Sequence, residues 1–276
     1  MDAAASARVA AVFDRVADTY DKVDVPWFTP IAQGLVRALA PRPGERALDV
    51  GCGRGAALFP LAEAVAPTGS ATGIDLAPGM VAATRAEVAR RGLTGVDVHL
   101  MDATAPDLPA GGYHLVASSL VVFFLPDPAA ALRAWRELLV PGGRLGIATF
   151  GARDPRWEAL DALFRPYLPP QLLDARTSGT AGPFASDAGV EELLTAAGYQ
   201  RVRTTGVDVQ AVFTDPDHWY AFSMSHGQRA MWDAVPEDER ATLRAATTDF
   251  AEGLRGDDGT IRLTQRVRYT LAERPA

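Results

Sequence analysis

The chain has 276 residues, 48% of them hydrophobic and 22% charged, with a net charge of −7 at pH 7. That is the composition of a soluble globular protein, and it excludes a disordered chain, a collagen-like repeat and a small disulfide scaffold. The acidic balance argues against a whole-protein positive field for nucleic acid, and the single cysteine, Cys52, rules out an intramolecular disulfide and a cysteine-based zinc cluster, so no metal site is expected.

The chain starts MDAAASARVAAVFDR, with an acid at position 2 and no basic segment leading into an apolar one, so no secretory signal is expected and the cytoplasm is the expected location. No apolar run approaches the ~20 residues of a membrane span. Val9, Val12, Phe13 and Val16 recur at helical spacing and predict an amphipathic helix over 6–19. An aromatic and proline-rich loop follows from Tyr20 to Pro30, then a helix over about 31–40 and a PRPG turn at 41–44. From there strand and helix alternate. Strands are expected at Ala47–Val50, Ala71–Ile74, Val96–Leu100, Leu115–Ser118 and Arg144–Phe150, and helices at 56–66, 78–91 and 128–139, the last ended by PGG. This rhythm argues for a parallel sheet with helices on both faces.

The later part is less regular. Residues 152–175 mix helical signals with Pro166, Pro169 and Pro170, and 186–197 reads as a helix capped by Ser186 and ended by Gly198. Tyr199–Phe213 alternates as a strand, helices are expected at 215–233 and 236–254, and Ile261–Leu271 closes the chain as a strand. Strand, helical excursion and strand in that order predict an antiparallel C-terminal hairpin carrying a helical insertion. The expected organisation is one domain over 1–276. Its core is formed by about 35–151, 186–213 and 260–273, and its cap by 1–34, 152–185 and 214–259. Of the 22 aromatic residues only six lie in 41–151; Trp27, Trp157, Trp219 and Trp232 all fall in the cap segments. They either pack those segments onto the sheet or wall an apolar pocket above it.

LDVGCGRGA, Leu48 to Ala56, places Gly51, Gly53 and Gly55 between a strand and a helix. Glycine serves where the backbone turns sharply or touches a ligand, because a Cβ would clash. The spacing is G-x-G-x-G rather than the dinucleotide G-x-G-x-x-G, with Asp49 two residues ahead. Asp75 ends the second strand, 20 residues after Gly55, where a carboxylate can accept both hydroxyls of a ribose. Asp102 follows the third strand and can accept a hydrogen bond from an adenine amino group. Strand ends of an open α/β sheet converge on one crevice, so the three features belong together.

These residues resemble a class I S-adenosylmethionine-dependent methyltransferase of the small-molecule type, similar to the ubiquinone/menaquinone methyltransferase group. The motifs are LDVGCGRG at 48–55, TGIDLAPGM at 72–80, DAT at 102–104, LVPGGRLGI at 139–147 and, for the segment that closes over the cofactor, VFDRVADTYD at 12–21. The resemblance is detailed over about 8–150 and holds in outline beyond. It implies a Rossmann-like, doubly wound, mostly parallel seven-stranded sheet with an antiparallel C-terminal hairpin and a helical cap. It implies S-adenosylmethionine as cofactor and S-adenosylhomocysteine as product. Gly51, Gly53 and Gly55 would lie against its methionine and ribose, and Asp75 would bind the ribose hydroxyls. Met80 would pack beside the adenine, Asp102 and the backbone of Ala103 would hold its edge, Ser118 would lie near the methionine amino group through backbone atoms, and Tyr20 would come from the lid. The usual Phe-Asp before the fourth strand is Tyr113-His114 here, a change expected to be structural, and SSLVVFFLPD lacks an Asn-Pro-Pro-Tyr motif, which argues against the adenine-base and glutamine methylating groups.

Methyl transfer requires an O, N or C nucleophile placed in line with the leaving sulfur, and a general base assists when that nucleophile is a hydroxyl or an acidic C–H. His226 and His218, eight residues apart in the late insertion, are the candidate catalytic residues, His226 preferred because Gly227 follows it. Arg153, Arg156, Arg165 and Arg176, with Arg229, form either a solvated surface or an anion site. The expected activity is methylation of a small, fairly apolar metabolite of specialised metabolism, by a monomer or homodimer without nucleic-acid partner. A methyltransferase fold turned to a cyclisation is the alternative. A nicotinamide-dependent oxidoreductase is disfavoured by the glycine spacing and Asp102, and a non-catalytic binding protein by the intact cofactor residues.

Overall fold

The computed structural model describes residues 3–169 and 179–276. Seven strands form one sheet in the order β3-β2-β1-β4-β5-β7-β6. They are β1 Arg46–Val50, β2 Ser70–Asp75, β3 Val96–Leu100, β4 Tyr113–Ser119, β5 Leu139–Arg153, β6 Gln200–Phe213 and β7 Ile261–Glu273. β1 to β5 run parallel, while β7 lies antiparallel between β5 and β6. The chain reverses its winding between β1 and β4, and the C-terminal ends of β1 to β4 share one edge, the place where such sheets bind ligands. Sheet, antiparallel hairpin and flanking helices are the architecture expected from the sequence.

Among the described residues the α-helices are α1 Ala3–Val16, α2 Phe28–Leu39, α3 Leu58–Val65, α4 Pro78–Arg91, α5 Pro128–Leu138, α6 Pro155–Ala162, α7 Asp187–Ala196, α8 Pro216–Met224, α9 Arg229–Asp233 and α10 Arg240–Glu252. Their ends follow local chemistry. α4 begins on Pro78 and stops at Gly92, whose φ of 62° closes the last turn without a Cβ penalty. Asp127 caps α5 by accepting from the Ala130 N–H at 2.9 Å, and Ser186 caps α7 by accepting from Gly189 N–H at 3.0 Å. α5 then buries Ala131, Leu132, Trp135 and Leu138 against the sheet. Among the described residues no helix is long and apolar enough to cross a membrane.

The PGG at 141–143 follows the end of α5 as expected and lies in an irregular stretch of β5: the β4 ladder shifts register between Leu139 and Arg144, and Gly142, at φ 73°, donates its N–H to the Arg274 carbonyl at 3.1 Å while Arg274 N–H donates to the Gly143 carbonyl at 2.8 Å. One expectation is corrected. The helix expected over 215–233 is two helices, α8 and α9. Ser225 turns its hydroxyl back onto the Phe222 carbonyl at 2.7 Å, and the chain leaves the helix before His226 and Gly227. His218 and His226 therefore do not share a helix face. Within 152–169, α6 and a short 3-10 turn at Arg165–Tyr167 carry helix; Pro170 and Arg176 lie outside the described residues.

The four cap tryptophans are all buried, and they pack on one another. Trp27 lies 5.2 Å from Trp157 between ring centroids, and Trp219 lies 6.3 Å from Trp232, which in turn meets Phe164 edge-on at 4.7 Å. They make a core for the cap.

Candidate functional site

A cleft of about 780 Å³, open to solvent, lies over the C-terminal ends of β1 to β4. Gly51 and Gly53 floor it, Asp75, Met80, Asp102 and Ala103 form one side, Ser119 ends β4 and Leu120 follows it, and Phe13, Tyr20 and Phe124 cover it. The glycine loop is shaped by three left-handed residues, but only two of them face the cleft. A Cβ on Gly51 would collide with Val121, and one on Gly55 would collide with the Phe59 ring. Gly53, at φ 50°, has nothing within 4 Å of where a Cβ would stand. Its open face is where a ligand can approach the backbone, whereas Gly55, which does not line the cleft, is a packing requirement of α3.

Asp75 holds the loop in place as well as facing the cleft. Its Oδ2 accepts from Gly53 N–H at 2.8 Å and its Oδ1 from Ala77 N–H at 2.9 Å. Each carboxylate oxygen keeps a second lone pair for an outside donor. Burial pushes its pKa up, and the N–H groups of Ala77, Gly53 and Leu76 oppose that rise. Asp102 accepts from Thr104 N–H at 2.8 Å, which turns the chain under the cleft. The Ala103 carbonyl accepts from Trp135 Nε1 at 2.7 Å, so this backbone is anchored from α5. Asp49 lies below the floor rather than along it. It is 1% exposed, its Oδ2 has no hydrogen-bond partner, and burial together with the Asp75 charge raises its pKa from 3.8 to about 7.

The lid is α1 with the loop after it. Val16 and Ala17 pack on Ala77 and Met80, with Phe13 and Tyr20 beside them, in a small cluster separate from the main core. Arg54 of the glycine loop donates to the Ala17 carbonyl at 3.1 Å, which ties lid to loop. Tyr20 stacks on Phe28 at 4.4 Å and meets Phe13 edge-on at 6.2 Å. Burial, with the charges of Asp21 and Asp75, holds its phenol well above the usual pKa, so it stays a donor.

The Ser118 side chain is fully buried and donates to the Val50 carbonyl at 3.0 Å; its neighbour Ser119 lines the cleft, because alternate strand residues face opposite ways. Both candidate catalytic histidines lie elsewhere. His218 is not placed to act as a base: its Nε2 donates to the Val23 carbonyl at 2.7 Å and its Nδ1 accepts from Thr214 N–H at 3.2 Å. It fastens α8 to the loop after α1. His226 does not line the cleft either; it sits behind Phe28, whose ring it meets at 5.5 Å. Burial, aided by the Arg153 charge, drops its pKa to about 3. Arg153, Arg156 and Arg229 face Asp161, Asp154 and Asp233, so no open cluster of these three awaits an anion. His114 accepts from Arg46 N–H at 3.0 Å, which gives the Tyr113-His114 pair the structural part expected of it. The sequence reading missed Leu120 and Phe124. Leu120, at φ 61°, is a strained non-glycine residue directly after β4. No pattern in SSLVVFFLPD singles it out.

The arrangement fits a nucleoside with an amino-acid tail. Asp75 stands where vicinal hydroxyls would be received, Met80 and Met101 give apolar walls to a flat base, and Asp102 lies at its edge. The cleft lining holds two carboxylates and, among the described residues, no lysine or arginine, which favours a cationic ligand over a pyrophosphate. Residues 47–143 match the family model described as a methyltransferase domain. Over 279 aligned residues the chain is 37% identical to nocamycin O-methyltransferase of Saccharothrix syringae, covering 96% of this chain and 98% of that one. The chain belongs to the class I S-adenosylmethionine-dependent methyltransferases. A second methyltransferase relative, aklanonic acid methyltransferase DauC of Streptomyces sp. (strain C5), is 41% identical over 63% of this chain and 79% of its own length. The [4+2]-cyclase SpnF superposes with a TM-score of 0.57 at 20% identity over 90% of this chain and 82% of its own, a likeness of fold alone. As a methyltransferase the protein uses S-adenosylmethionine, and the glycine loop, Asp75 and Asp102 are the residues that would hold it.

Proposed function

We propose that the enzyme methylates an acidic oxygen, a carboxylate or an enolate, on a small apolar metabolite of specialised metabolism. One observation carries this reading: among the described residues, the cleft offers no group suited to take a proton from a neutral hydroxyl. No histidine or lysine lines it, Tyr20 is held protonated, and Asp75 and Asp102, each already accepting backbone N–H bonds, give their remaining lone pairs to the ribose and adenine of the cofactor in this reading. The nucleophile must therefore arrive already ionised. The names of the two relatives, an O-methyltransferase and a methyltransferase of an acid, support an acidic oxygen.

When bound, S-adenosylmethionine supplies a methyl group on a positively charged sulfur, which an oxygen lone pair attacks in line as the C–S bond breaks. The chain's part is placement and shielding. Asp75 and the Gly51–Gly53 backbone fix the cofactor's position, and Asp75 and Asp102 keep the surrounding field negative. Phe13, Tyr20 and Phe124 close the mouth and exclude water, which would otherwise solvate the nucleophile. The Tyr20 hydroxyl remains a donor at neutral pH.

The test is S-adenosylhomocysteine formation with aklanonic acid and with an unactivated phenol as acceptors. The carboxylic acid is expected to turn over at a rate that is flat between pH 6 and 8, while the phenol stays inert. Equal turnover of the phenol, or a rate climbing tenfold per pH unit with the acid, would overturn the proposal.

A further inference from the structure

Behind the cleft's aromatic wall lies a second group of side chains that methyl-donor binding does not use. Trp27, Trp157, Phe222, Phe28 and His226 pack ring against ring, with Trp27–Trp157 at 5.2 Å, Trp27–Phe222 at 6.3 Å, Phe222–His226 at 4.4 Å and Phe28–His226 at 5.5 Å. Two nitrogens in this cluster, Trp157 Nε1 and His226 Nε2, are sealed from solvent without a hydrogen-bond partner. Native interiors rarely leave such groups unsatisfied, and when they do a ligand is one reason.

Both nitrogens are donors. An indole N–H can only donate. In His226 the Nδ1 accepts from the Gln228 N–H at 3.2 Å, and burial with the Arg153 charge keeps the ring neutral, so its single proton sits on Nε2. The same observations exclude the general-base role expected from the sequence, since the only free ring position already carries hydrogen. The charged groups nearby complete the picture. The Arg153 guanidinium, from β5, lies 5.6 Å over the Trp157 ring, and Asp161, from α6, is engaged by Arg153 and Gln228, each at 2.8 Å. Two neutral donors near one cation, with the nearby carboxylate already engaged, suit an oxygen that accepts. Phe28 joins this cluster to the cleft's cover: its ring stacks on Tyr20 at 4.4 Å and meets His226 edge-on at 5.5 Å.

We propose that His226 Nε2–H and Trp157 Nε1–H form an oxygen-binding subsite for a ring-bearing acceptor, gripping a carbonyl or carboxylate oxygen remote from the methylated one while Trp27, Phe28 and Phe222 hold the ring. This rests on the reading of the protein as a small-molecule methyltransferase, and its test uses binding so that the two can fail separately.

In protein labelled with ¹⁵N, the indole signal of Trp157, assigned by its loss in Trp157→Phe, should move downfield when 2-naphthoate is added. The His226 ring should show the Nε2–H tautomer from pH 6 to 8. Affinity for 2-naphthoate should fall at least tenfold in Trp157→Phe and His226→Leu and stay within threefold in His226→Gln, whose amide restores a donor. S-adenosylhomocysteine affinity should be unchanged in all three, which also reports that they fold. An unmoved indole signal, a proton on Nδ1, or equal binding by wild type and His226→Leu overturns the subsite. So does a loss in His226→Gln as large as in His226→Leu. If His226→Leu does not fold, the indole shift in the unaltered protein decides. Should 2-naphthoate bind as described while no acceptor yields S-adenosylhomocysteine, the subsite stands and the methyltransferase reading falls.

Discussion

Replacing Asp49 by Asn should stabilise the ligand-free protein above neutral pH. Asp49 is 1% exposed, its Oδ2 has no partner, and its pKa rises from 3.8 to about 7, first through burial and then through repulsion by Asp75. An acid whose folded pKa lies above its unfolded value holds its proton more tightly when folded. Below pH ~4 both states are protonated and nothing is lost. As pH rises from about 4 to 7 the unfolded chain ionises first, and stability falls by ~1.4 kcal/mol per pH unit. Above 7 the folded state carries the full cost of a buried charge, on the order of 4 kcal/mol. Asn keeps the shape and never ionises, so the stability difference between Asp49→Asn and wild type should grow by about 2 kcal/mol from pH 5.5 to 7 and level off beyond. Urea unfolding at half-unit steps from pH 5.5 to 8.5 measures it. A difference that stays constant across that range would refute the buried, proton-holding Asp49.

Asp75→Ala should weaken S-adenosylhomocysteine binding by about 1–3 kcal/mol in calorimetry, since the carboxylate both faces the cleft and positions Gly53 N–H; unchanged affinity would remove Asp75 from the site. Gly53→Ala and Gly55→Ala should separate binding from folding. The first meets open space and should reduce cofactor affinity while costing about 1–2 kcal/mol of stability for its φ of 50°. The second drives a methyl into Phe59 and should cost about 2–4 kcal/mol in denaturant titration, with little effect on affinity in the molecules that remain folded. His218→Ala should lower stability by about 1–3 kcal/mol through loss of its bonds to Val23 and Thr214, with KM for cofactor and acceptor unchanged. A tenfold fall in kcat at full folding would restore a catalytic part to it.

Much of the cofactor site was legible because it is local. A glycine loop, an acid at the end of β2 and an acid after β3 each sit within a few residues of a strand that the hydrophobic pattern locates, and parallel pairing brings the strand ends to one edge. Two neighbouring cases show the limit. Ser118 and Ser119 are equivalent as letters, yet strand alternation turns one inward to the Val50 carbonyl and the other to the cleft. Gly55 looks like its two companions, but Phe59 occupies the space above it. The histidines were harder still. Reading 215–233 as one helix aligned His218 with His226, whereas the Ser225 hydroxyl competes for helix carbonyls and the chain breaks between them.

By itself, then, the sequence determined the alternating α/β order, the methyl-donor motifs and the position of each strand-end acid, all of which follow from spacing within short stretches of chain. Tertiary structure alone decided what the late insertion does. The partner of His218 is Val23, 195 residues away, and the neighbours of His226 come from β5, α2 and α8. Protonation and hydrogen-bond roles depend on burial and on groups brought in from distant segments, and no local pattern encodes that company.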